Sequence, residues 1–274
     1  MNRPRRAARK SGAIIGVKPA PSQPHNELRL IPLPLAEEIK PGDSLPEKIL
    51  QSLRQLNVVF ESGDILVVKH KIVSKAEGRI VDLATIKASA GSVAWAKKYD
   101  LDARVIELAL TESRRVIRRQ NGVLITETQH GFICANSGVD VSNVDGGRHA
   151  LLLPADPDRA ARKLHRELNK RTALAIPVLI TDTFGRPWRE GLVDFCIGLA
   201  GMKALRDDRG RHDPHGYKLQ ASVEGTVDEL ACAAALVCGK LNRTPACIIR
   251  GFPYEPARGC TRDLLRPAAN DLFR

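Results

Sequence analysis

Residues 179 to 191, LITDTFGRPWREG, pass within a few positions from a wholly apolar run to an aspartate, two threonines and two arginines. The preceding AIPVLIT reads as a buried strand, so the break puts Asp182 and Thr183 at a strand end. Two other stretches share this pattern. GDILVVKHKIVSKAEGR opens on a Gly-Asp turn, runs buried through Val68 and turns polar around Ser74 and Lys75, which predicts an exposed strand end. Asp140 and Asn143 follow ICANSG in a loop rich in Gly, Asn and Ser. Each break places oxygen ligands or cations where a strand stops.

Ahead of these breaks, LRLIPLPL is a short strand and KPGDSLPEKILQSL a turn followed by an amphipathic helix. Residues 101 to 119 place Val105, Leu108, Ala109 and Val116 roughly on one helical face, with arginines gathered in the last turn, which predicts a helix. GVLITETQHGFICA reads as two strands around QHG. In LLLPADPDRAARKLHREL, Asp156 caps a helix with Pro157 at its first position. DELACAAALVCGK is an Ala-rich helix ended by Gly239, and PACIIRG is a last strand. Strands and helices alternate irregularly, so an α+β fold is expected rather than a doubly wound sheet.

Charge needs its location before it means anything. The formal charge is +12, and residues 1 to 26 hold six of the cations and no acid, so half the excess lies in a Pro, Ala and Arg-rich stretch without periodicity. Residues 1–27 are expected to form a disordered basic tail. Nucleic-acid binding through that tail is the alternative from another class, against which stand the absence of zinc-finger spacing, of aromatic and basic interleaving and of a recognition helix. No apolar run approaches a membrane span, and no membrane partner is expected. Six scattered cysteines without a CxxC pair fit free thiols in a cytoplasmic protein.

Two carboxylates and a threonine hydroxyl suit Mg²⁺ or Mn²⁺, which share oxygen ligands with substrate phosphates. Neighbouring lysines and arginines would neutralise those phosphates. The same residue types also populate ordinary turns. Neither common phosphate-binding glycine loop is present, and GxSxG is absent. His212, Asp213 and His215 in RHDPHG form a weaker metal candidate in a Pro and Gly-marked loop. Trp188, beside Arg186 and Arg189, is left open for a planar substrate.

Taken in order, VSKAEGR, CANSGVDVSNV, LLLPADPD, ITDTFGRPWREG and VDELACAAALVCGK resemble the coenzyme F420-0:L-glutamate ligase family over about residues 30 to 251. The resemblance implies a CofE-like α+β fold in an intertwined homodimer, with residues 28–251 as the ligase domain and 252–274 as a C-terminal tail. It implies a GTP-dependent ligase that joins L-glutamate to the carboxylate of F420-0 and releases GDP and phosphate, with some members adding further γ-linked glutamates. A folate-like acceptor is the alternative within the same chemistry. Carried over by position, Asp140, Asp182 and Thr183 would hold Mg²⁺ or Mn²⁺, with K⁺ as a further candidate ion. Glu38, Ile39, His70, Lys75 and Asn143 would contact the nucleotide, and Lys75 is also a candidate catalytic group. Arg186 and Arg189 are candidate electrostatic clamps on phosphate or on an acceptor carboxylate. The sequence departs from the archaeal pattern at Ala36 and Glu37, at His70 and Lys71 in place of a Ser-Thr pair, and at Lys240 in place of a metal-binding glutamate. With about 23 residues after Gly251, ligase activity alone is expected.

Overall fold

The computed structural model describes residues 27–142 and 145–272. All but the last residue of the basic tail, and Asn143 with it, lie outside the described residues. In chain order the elements are β1 (Arg29–Leu33), α1 (Leu45–Gln55), β2 (Ile65–Lys69), α2 (His70–Ala76), β3 (Ile80–Asp82), α3 (Ala90–Tyr99) and α4 (Ala103–Thr111). There follow β4 (Ser113–Gln120), β5 (Val123–Thr128), β6 (Ile133–Ala135), β7 (His149–Leu151), α5 (Pro157–Thr172), β8 (Val178–Arg186) and β9 (Arg189–Ala200). The short pair β10 (Arg206–Asp207) and β11 (Val223–Glu224), then α6 (Thr226–Cys238) and β12 (Ala246–Arg250), complete the set. The arrangement is mixed α+β.

The centre is a five-stranded sheet ordered β1-β12-β2-β8-β9, in which β2 and β8 run parallel and every other pair is antiparallel. Its strands are apolar on both sides, and alternate residues feed different cores. Leu66, Val68, Val178 and Ile180 join Ile49 and Leu53 of α1 and Leu164 and Leu168 of α5. Ile65, Val67, Leu179 and Ile249 join Val227, Leu230 and Ala234 of α6. Thus α1, α2 and α5 cover one face and α6 the other. A smaller core gathers Ile106 and Ala109 of α4 with Leu124 and Ala150.

Three expectations change. The helix over 101 to 119 stops at Thr111, and residues 113–120 form β4, paired with β5. Val116 is exposed, and Arg115 Nε bonds Glu127 Oε2 at 2.7 Å across the strands, so the arginines belong to a hairpin and not to a helix terminus. The segment after Val68 is not an exposed strand end: α2 begins at once, with His70, Ile72, Val73, Ser74 and Lys75 all buried. Finally, β8 runs through the polar break as far as Arg186, because β9 pairs with it along that whole length.

The segment after Gly251 is packed onto the domain. Asp158 accepts hydrogen bonds from the amides of Leu199 and Thr261 and from the Thr261 hydroxyl, tying it to α5 and β9. Leu264 and Phe252 rest on the α6-side core. Among the described residues no helix is long and apolar enough to cross a membrane.

Candidate functional site

The β2–α2 junction carries three consecutive basic residues, Lys69, His70 and Lys71, and each meets an aspartate from a different segment. Strand alternation, followed by the turn into α2, separates their directions. Lys69 ends the strand on the α6 side and pairs with Asp194 of β9. His70, 2% exposed, lies against the other face with Nε2 3.2 Å from Asp182 Oδ1. Lys71 Nζ is 2.6 Å from Asp140 Oδ2 in the loop after β6.

Asp182 and Thr183 therefore do not act side by side. Adjacent residues of a strand point to opposite faces, and the Thr183 hydroxyl donates to Asp194 Oδ1 at 2.8 Å while the Thr181 hydroxyl donates to Oδ2 at 3.1 Å. Asp182 shares the α2 and α5 side, and Asp140 meets the neighbouring residue of the same helix. So the structure brings Asp140 and Asp182 together around the start of α2 and places the Thr183 side chain on the Asp194 network behind them.

Electrostatics keep the Asp140 side ionic. Burial pushes the Asp140 carboxyl up, but the hydrogen bonds from Lys71 and Ser142 outweigh it and hold the group below its usual value. His70 is less settled. Its Nε2 approaches Asp182 closely enough to pair with it, yet the ring direction is not that of a hydrogen bond, so this buried nitrogen has no hydrogen-bond partner among the described residues. The other ring nitrogen, Nδ1, lies 3.3 Å from Ser74 Oγ.

The remaining candidates fall in two places. Lys75, buried at the far end of α2, pairs with the exposed carboxylate of Glu38. The Ile39 side chain is in the main core and 4% exposed, which leaves only its backbone for a ligand. Arg186 and Arg189 face each other across the β8–β9 hairpin, with Trp188 between them at φ 58° and 79% exposed. His212 and His215 do not form a metal cluster with Asp213, whose carboxylate accepts the amides of His215 and Tyr217. Asp194, 3% exposed and holding three donors, was missed in the sequence. A lone acid inside the apolar run LVDFCIG was the available signal.

Comparison with known proteins decides the family. The model of the F420-0:Gamma-glutamyl ligase family matches residues 35–251. The chain belongs to that family. A coenzyme F420:L-glutamate ligase from Methanopyrus kandleri is 40% identical over 252 residues, covering 90% of this chain and 98% of that protein. A protein of the same name from Methanothermobacter thermautotrophicus is 42% identical over 236 residues, covering 85% of this chain and 93% of that protein. For a member of the F420-0:gamma-glutamyl ligase family, the matched span includes all three aspartates, the basic triplet, Lys75 and the arginine hairpin.

The donor set fits a divalent cation. Two carboxylates from separate segments approach the same helix start, Asp140 beside the Lys71 ammonium and Asp182 beside the His70 ring. Among the described residues no three His, Cys, Asp or Glu side chains form a cage. A site with few protein ligands is the mode of Mg²⁺, which keeps waters and takes its other ligands from substrate phosphates.

Proposed function

We propose that the chain is a GTP- and metal-dependent ligase that joins the amine of L-glutamate to the carboxylate of F420-0, or adds further γ-linked glutamates, releasing GDP and phosphate. The observation that carries this reading is the basic triplet at residues 69–71 with its three aspartates, standing at one end of α2 in a chain of this family.

A carboxylate does not acylate an amine, so it must first gain a leaving group. Transfer of the γ-phosphoryl group to the acceptor carboxylate breaks the bond to GDP and forms an acyl phosphate. The glutamate nitrogen then attacks the acyl carbon, the bond to phosphate breaks, and the amine proton leaves to solvent or to the departing phosphate. Asp140 and Asp182 would hold Mg²⁺ or Mn²⁺, which supplies positive charge to the transferring phosphoryl oxygens. Lys71 and His70 orient the two carboxylates. Thr183 acts through Asp194, fixing β8 from behind. Lys75, Glu38 and the Ile39 backbone form the nucleotide side, a role that the sequence also carries over to Asn143, and Arg186 and Arg189 draw the anionic acceptor. The active species is a homodimer.

The test is phosphate release from GTP with Mg²⁺ or Mn²⁺, L-glutamate and F420-0, with mass spectrometry of the acceptor. A mass gain of one or more glutamyl units is expected. GTP turnover absent with F420-0 and with a folate acceptor alike would overturn the ligase reading.

A further inference from the structure

Helix α5 and the C-terminal segment flank an open cleft of about 690 Å³ whose lining carries five cations against two carboxylates, Asp156 and Glu77. Arg159, Arg162, Lys163 and Arg166 come from α5, and Arg258 faces them from the segment after β12. Spacings of three and four residues put the α5 side chains along one stripe. From Arg159 to Arg166 that stripe is roughly 10 Å long at 1.5 Å per residue. Arg162 lies 4.0 Å from Asp156, and the other four cations have no ion pair among the described residues. Unneutralised cations lining a concave surface repel one another and favour an anionic ligand.

The cleft also has a place relative to the proposed chemistry. Glu77, the residue that ends α2, lines it and accepts the amide of Ala155 at 3.3 Å. The start of α2 bears His70 and Lys71, so one helix of about 10 Å joins the aspartate site to the cleft. Asp182 and α5 also lie on the same face of the sheet. A compact phosphate group fits poorly at the α5 N-terminus, because Asp156 caps it and accepts the Arg159 amide at 2.8 Å. The charge lies along the helix, and so suits an extended ligand with repeated anions.

We infer that this cleft binds the γ-linked oligoglutamate chain of an acceptor that already carries glutamates, so that its free end reaches the α2 site. The inference rests on the ligase reading for its substrate, and it assigns the recognition of a polycarboxylate to Arg159, Lys163, Arg166 and Arg258. Such an exposed site weakens as salt screens it.

The test is calorimetric binding of free penta-γ-L-glutamate to the full chain at low and high salt, beside GTP and a single-stranded oligonucleotide. The double variant Lys163→Gln, Arg166→Gln is compared with Lys170→Gln, an exposed lysine of the same helix outside the cleft, and thermal melts check folding. Expected are salt-sensitive binding of the pentaglutamate, at least a tenfold loss in the double variant, and GTP affinity changed less than twofold. Equal pentaglutamate binding by wild type and double variant overturns the inference. So does a loss confined to GTP, which would make the cleft a nucleotide site, or an oligonucleotide that binds there more tightly than the pentaglutamate. Pentaglutamate binding without any glutamylated product would keep the cleft and defeat the ligase reading; glutamylated product without pentaglutamate binding would do the reverse.

Discussion

Lys69 and Asp194 pair across strand β8, which lies between their own strands in the sheet. The Asp194 carboxylate also accepts both threonine hydroxyls of that intervening strand, from Thr181 and Thr183. Three donors compensate a carboxylate that is 3% exposed. Removing it strands the lysine and the two hydroxyls. Asp194→Ala is expected to cost about 3 kcal/mol, read as a lower urea midpoint, and Lys69→Met added to Asp194→Leu should recover part of it. A loss below about 0.5 kcal/mol would show the pair to be a surface-type contact.

Asp182 faces the other way and has a different expected signature. Asp182→Asn keeps size and one oxygen acceptor but removes the charge opposite His70. Turnover should fall by at least a hundredfold at saturating GTP, while the thermal midpoint moves by no more than a few degrees. Raising Mn²⁺ should restore part of the rate if the carboxylate is a ligand. A folded variant with full metal-dependent turnover would remove Asp182 from the site.

Most of the scaffold could be read from residues in order. The apolar runs of β2, β8 and β12 and the Asp156 cap of α5 are local signals, and each marks an element that forms, although β8 runs on past its apolar run to Arg186. The failures were of continuation. Asn121 and Gly122, both with positive φ, make the tight hairpin that turns β4 into β5. That Asn-Gly pair is a local hairpin signal, and it makes the arginines of β4 strand residues and not a helix end. In TDT at 181–183 the polar residues suggested a strand end, but their period of two is that of a strand continuing, and it splits Asp182 from Thr183. The pairing of residues 69–71 with three distant aspartates depends on sheet order, which no local pattern contains.

Asp228 offers a pH test away from the proposed metal ligands. It lies in the first turn of α6 and accepts the Cys196 amide at 2.8 Å, and burial pushes its carboxyl above the usual value against that hydrogen bond. A carboxyl raised in the folded state contributes stability below its unfolded value of about 3.9, and that contribution is lost as pH rises through the folded value. Asp228→Asn keeps an oxygen for the Cys196 amide without the buried charge. The variant should melt higher than the wild type at pH 7, with the advantage shrinking as the pH is lowered to about 4. Melting curves across that range decide it, and a variant less stable at pH 7 would mean that the charge favours α6 more than burial opposes it.

Arg186 and Arg189 occupy directly opposed positions of the β8–β9 hairpin, and the Arg186 Nη2 donates to the Glu190 carbonyl at 3.3 Å. Like charges placed opposite each other weaken a strand pair, so their presence favours an anionic ligand more than the fold. The double variant Arg186→Gln, Arg189→Gln should keep or slightly raise the thermal midpoint. Its KM for the anionic acceptor should rise about tenfold, roughly 1.4 kcal/mol, with kcat changed far less if the arginines only gather substrate. A fall in kcat with KM unchanged would instead place the guanidiniums on the transferring phosphoryl group, where charge grows only in the transition state.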